Sequence, residues 1–197
     1  MFRSIATSLM LALALSAGLT ACGSILQSDT PPTTDWWLIP GTLTDPPSAS
    51  AGPLVLSLTV VPGLDTDRIL NLGDNAQLNS YAGARWPEPL PAVLESLVQR
   101  SLETVSDAPV RTGFRAGPDD CLLSREVREF FGRVDQAGVT RAVQFALQGE
   151  LVCPGFSRMV SSRQTIPVTD NRMSAIVAAF QKALDRGLQD LATQLTP

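Results

Sequence analysis

Three cysteines, no histidine and a single lysine set the chemistry open to this chain. The absence of an imidazole removes Ser-His-Asp and Cys-His nucleophiles, the usual catalytic zinc sites and histidine acid–base work. Gly-x-Ser-x-Gly, Walker-type and Gly-x-Gly-x-x-Gly runs are missing too. An enzyme would have to use carboxylates alone, or a serine with Lys182, and no spacing singles out such a pair. The thiols are Cys22, Cys121 and Cys153, and none lies in a Cys-x-x-Cys arrangement, which argues against redox catalysis. Modification and cross-linking are the thiol chemistries that remain.

Cys22 closes the run Leu19-Thr20-Ala21-Cys22, which resembles the lipobox cut by bacterial lipoprotein signal peptidase. Before it come one basic residue, Arg3, and an apolar stretch from Ile5 to Leu19, the layout of an export signal. That stretch would form a helix of roughly 22 Å, shorter than the ~30 Å bilayer core, so a spanning segment is the weaker reading. The expectation is removal of residues 1–21 and a diacylglycerol and an N-acyl chain (palmitate or similar) on Cys22, with no other cofactor and no metal. An ordinary signal peptide, cut near Ala21, would leave Cys22 a spare thiol. Gly23 in place of Asp favours the outer membrane under enteric-type sorting, inner-membrane retention being the alternative. Residues 22–35, rich in Ser, Thr, Pro and Asp, are expected to be a flexible tether on the periplasmic face, with the folded domain over 36–197.

Cys121 and Cys153 fall at the ends of two extended segments that flank Asp135-Gln136-Ala137-Gly138-Val139. A three-residue loop of Gln136, Ala137 and Gly138 pairs residues whose numbers sum to 274. Phe131 then faces Val143, Val127 faces Leu147, Leu123 faces Leu151 and Cys121 faces Cys153, all on one side of a hairpin. Glu129 opposite Phe145 and Arg125 opposite Gly149 fit this face less well. A cross-strand disulfide is expected in an oxidising compartment; two separate buried thiols are the alternative.

The elements that hold these residues follow from period and punctuation. Trp36 to Pro40 is expected as an edge strand stopped by proline, and Leu54 to Val61 as a buried strand ended by Pro62-Gly63. Arg68–Leu72 and Ala76–Arg85, around Gly73-Asp74-Asn75, read as a second hairpin. Leu90, Val93, Leu94, Leu97, Val98 and Leu102 make one face of a helix over 90–104. A strand over 156–168 leads to a last helix capped by Asp170, striped by Met173, Ile176, Val177, Phe180, Leu184, Leu188, Leu191 and Leu195. The fold class expected is α/β: one domain with a mixed, largely antiparallel sheet and two main amphipathic helices packed on it. Hydrophobic content of 44% supplies its core. A net charge of −4, with no block of like charge, argues against nucleic-acid partners.

In this order the elements resemble the ABC-type transport auxiliary lipoprotein family (PqiC-like, MCE-transporter-associated lipoproteins). The lipobox at Cys22, the run Trp36-Trp37-Leu38-Ile39-Pro40, the strand Leu54 to Val61, Leu64-Asp65, the segment Arg85-Trp86-Pro87-Glu88-Pro89-Leu90 and the C-terminal helix carry the likeness. The family tends to have tyrosines where Trp36 and Trp37 stand, and paired cysteines are not among its marks. The resemblance implies a non-enzymatic, membrane-anchored subunit of an MCE-type ABC transport system that moves lipids between inner and outer membranes. An MCE-domain protein and the ABC transporter complex would be its partners, and a homo-oligomer would suit docking on a symmetric conduit. A structural lipoprotein of another envelope assembly is the alternative. Trp36, Trp37, Arg85 and Trp86 are the candidate partner or lipid contacts. Trp86 could equally pack where strand passes to helix, with Arg85 paired to Glu88, and the two leading tryptophans could cover a sheet edge.

Overall fold

The computed structural model describes residues 32–44, 53–106 and 108–195. Its spine is a long hairpin, β6 (Cys121–Val134) and β7 (Thr140–Cys153). The chain reverses through Gln136, Ala137 and Gly138, as expected, with Gly138 at φ 78°, where a side chain would be strained. Asp135 holds the loop: its Oδ1 accepts from the amides of Ala137 and Val139, both at 2.9 Å.

The 274 register holds for Leu123 with Leu151 and Val127 with Leu147, but a bulge at Arg128 then shifts the pairing by one. Phe130, not Glu129, therefore faces Phe145, and Phe131 meets Gln144 rather than Val143. The physical reason lies in what each register buries. Unbroken alternation would put the Glu129 carboxylate into the core, whereas one extra residue turns Phe130 inward. Glu129 emerges on the other face and pairs with Arg163 at 2.9 Å.

The second edge of β6 is shared. β2 (Leu54–Val60) runs parallel to its first half, and β3 (Arg68–Gly73) runs parallel to its last three residues. Beyond β2 lies β5 (Val110–Thr112), a short parallel strand not anticipated from the sequence. Beyond β3 lies antiparallel β4 (Leu78–Arg85), and β8 (Phe156–Pro167) borders β7. The β3–β4 turn begins later than its glycine suggests: Gly73 is still strand, and Ala76, expected to open β4, sits in the turn at φ 60°.

Helices α1 (Leu90–Glu103) and α2 (Met173–Gln194) cover one face of this mixed α/β sheet. Their apolar stripes are buried as expected, and Trp86, Phe130, Phe145 and Phe180 form an aromatic centre with ring centroids 4.9–5.9 Å apart. Asp170 does not cap α2. It lies two residues before Arg172, the true N-cap, so its Oδ1 closes a short turn by accepting from the Arg172 amide at 3.0 Å.

Residues 36–44 also depart from expectation. They form no strand but a strap that joins the two helices. The Ile39 amide donates to Gln181 Oε1 and the Ile39 carbonyl accepts from Gln181 Nε2, while Gly41 N–H donates to Ser101 Oγ and Thr44 N–H to Gln189 Oε1. Side chains of α1 and α2 thus satisfy the backbone groups that a neighbouring strand would otherwise take. Leu38 and Leu43 are buried beneath.

Candidate docking edge

The chain enters the sheet through β1 (Thr34–Asp35), a two-residue strand parallel to the end of β4, where the sequence suggested the tail of a free tether. Asp35 lies beside Arg85, whose Nε donates to Asp35 Oδ1 at 2.7 Å; Asp67 stands 3.9 Å from the same guanidinium. The hydrogen bond and charge of Asp35 raise the Arg85 pKa further above its already basic value. Arg85 thus clasps the entering chain, and its partners are Asp35 and Asp67 rather than Glu88. With these side chains about half exposed, the clasp gives geometry more than stability.

Backbone bonds continue the junction. Trp36 N–H donates to the Arg85 carbonyl, Trp86 N–H to that of Asp67 and Leu90 N–H to that of Thr66. Strand alternation sends the Trp86 ring the opposite way from Arg85, into the core, where it is 2% exposed and meets Phe180 edge-on. Of the four expected contact residues, then, Trp86 is internal and Trp36 is half-buried against the core. Arg85 is at the surface, and Trp37 is 71% exposed. Ile39, not singled out from the sequence, is 66% exposed two residues further along the strap. Burying Leu38 and tying Ile39 by its backbone leaves both neighbouring apolar side chains to solvent.

Cys121 and Cys153 are joined by a disulfide, with both residues buried and Cα atoms 4.2 Å apart. Cys22 and residues 1–21 lie outside the described residues, as does most of the expected tether. A polar groove of about 560 Å³ runs between the β3–β4 turn and the β6–β7 loop, lined by Asn71, Asn75, Gln77, Asn79 and Gln136. Its acids Asp74 and Asp135 are paired with Arg133 and Arg141. Among the described residues no group of three or more His, Cys, Asp or Glu could hold a metal, and no helix is long and apolar enough to cross a membrane. One residue that the sequence only hinted at, through its poor fit on an apolar face, is Arg125, which is buried beneath both helices.

Fold and edge together define a small mixed-sheet domain that displays apolar side chains beside the point where its leading segment enters. The chain belongs to the ABC-type transport auxiliary lipoprotein family, whose family model, the ABC-type transport auxiliary lipoprotein component, matches residues 40–192. It is therefore a transport-associated lipoprotein of the cell envelope. Trp36 and Trp37 lie just before the matched region. Among solved structures, a protein from Xanthomonas campestris of the DUF330 family is similar, with a TM-score of 0.68 and 24% identity over 82% of this chain and 94% of that one. An uncharacterized protein gives a TM-score of 0.60 and 15% identity over 83% and 99%. These likenesses show the fold. No curated protein matches the chain.

Proposed function

We propose that this protein is a non-catalytic, lipid-anchored subunit of an MCE-type ABC transport system that moves lipids between the inner and outer membranes. Its acylated Cys22 holds it on the periplasmic face of the outer membrane, and its domain docks the end of a periplasm-spanning MCE-domain conduit, as a homo-oligomer matched to that conduit's symmetry. The observation that carries this reading is the family match over residues 40–192. Trp37 and Ile39, two exposed apolar side chains close together on the strap that follows the tether, supply contact for the partner, as aromatic and aliphatic anchors do in interfaces.

The test is co-purification. Full-length protein, solubilised from its own membranes, should carry with it an MCE-domain protein encoded beside it, and a W37A/I39A double variant should recover at least about tenfold less, as loss of one or two interface anchors predicts. Recovery of components of a different envelope assembly, with no MCE-domain protein, would refute the reading.

A further inference from the structure

Arg125 is the inward-facing residue of β6 between Leu123 and Val127, and only 4% of its surface is exposed. Its side chain lies under the seam between the helices, among Leu58, Leu94, Val98, Val127, Phe145 and Leu184, beside a cavity of about 10 Å³. None of its three guanidinium nitrogens has a hydrogen-bond partner. Glu95 on α1 contributes some attraction, but burial outweighs it and lowers the Arg125 pKa to about 10. The group therefore stays cationic at neutral pH, enclosed in apolar side chains with five unused donors. Such a cation is among the most expensive things a fold can bury.

The surrounding strands make room for it. Gly149 pairs with Arg125 across the hairpin, and a Cβ there would lie 2.9 Å from the Arg125 Cγ and 2.1 Å from the Ser124 carbonyl oxygen. The seam above it is closed by two helices that are packed chiefly on the sheet and joined by the polar bonds of the 39–44 strap.

We propose that Arg125 is a receptor for the head of an anionic amphiphile, a phosphate-bearing single acyl chain or lipid, that enters between α1 and α2 and lays its chain on the apolar side chains around the guanidinium. One cation in an otherwise apolar lining is the complement of one anion on a hydrocarbon chain, and a planar guanidinium suits a phosphate's paired oxygens. Opening the seam is what admits a ligand larger than the cavity. Such a ligand presupposes the transport setting proposed above, because that is what brings lipid to the domain.

The experiment uses the full chain in dodecyl maltoside micelles, titrated with sodium dodecyl phosphate or, separately, with inorganic phosphate, and reads the Tm. The wild type should rise by roughly 5–10 °C at about a hundredfold excess of dodecyl phosphate over its Kd, and should not respond to inorganic phosphate. An R125M variant should melt above the wild type without any addition, because it removes a buried unpaired charge, and should show no rise with dodecyl phosphate. An R125K variant, which keeps the charge, should retain part of the rise. The proposal is overturned if R125M melts lower than the wild type, if R125M responds to dodecyl phosphate as the wild type does, or if inorganic phosphate alone gives the full rise. If co-purification with the MCE partner succeeds while these effects are absent, this site is lost and the docking role stands.

Discussion

Asp185 shows how the strap alters a single residue. It lies on α2 with Gln181 one turn earlier donating to its Oδ1 at 2.8 Å, and Gly41 of the strap passes close enough that a Cβ there would sit 2.9 Å from the same oxygen. Burial raises the Asp185 pKa, and the Gln181 hydrogen bond only partly offsets that. With a folded pKa above the unfolded one, the native state binds more protons through that interval, so stability falls as pH rises through it. The penalty is complete above the folded pKa and absent below the unfolded value near 3.8. D185N keeps an oxygen to accept from Gln181 but cannot ionise. It should therefore raise the urea midpoint at pH 7, and this advantage should vanish at pH 3. Equal midpoints at pH 7 would show that the strap leaves this carboxylate solvated.

The hairpin of β6 and β7 is fastened at both ends, by the Asp135 loop at one and by the disulfide at the other. A cross-link closing a 32-residue separation contributes about 3–4 kcal/mol by chain entropy. The C121S/C153S variant should accordingly lose roughly 6–16 °C in Tm. Amide exchange should quicken near Leu122 and Val152 and stay slow near Phe130 and Phe145, which the aromatic centre holds. An unchanged Tm would assign the hairpin's stability to its strand neighbours and the helices rather than to the cross-link. At this scale much was legible in advance. Both helices, the Gly138 loop and the cysteine register follow from local period and turn chemistry, which act within a few residues. The bulge at Arg128 was not, although Glu129 facing Phe145 was its symptom, because a one-residue insertion is decided by what each register buries across the sheet. Nor was the sharing of one β6 edge between β2 and β3, whose parallel partners lie some 60 residues away in the chain. Of the candidate contacts, residue type alone could not tell Trp86 from Trp37, because the choice is made by the backbone around each: Trp86 follows β4 with its amide tied to the Asp67 carbonyl, whereas Trp37 lies on the strap.

For the whole molecule, the anchor and the exposed apolar pair have separable effects, and their sizes say which governs location. Each buried methylene of an acyl chain contributes about 0.8 kcal/mol, so two or three chains on Cys22 far exceed the roughly 1.5–3 kcal/mol that burying either Trp37 or Ile39 could supply. With residues 1–21 replaced by an ordinary cleavable export signal, so that no uncut apolar leader remains, C22S should therefore move the protein from the membrane to the soluble periplasmic fraction and abolish palmitate labelling, even with Trp37 and Ile39 intact. W37A/I39A should keep both the label and the membrane location while losing the MCE partner. Neither change should move the Tm by more than about 1–2 °C, because Trp37 and Ile39 are largely exposed and Cys22 precedes every described residue of the hydrophobic core. If unlabelled C22S stays with the membrane as the wild type does, the domain's own surface or its partner holds it there. The acyl chains would then be dispensable to location, and the contacts of the folded domain would outweigh them.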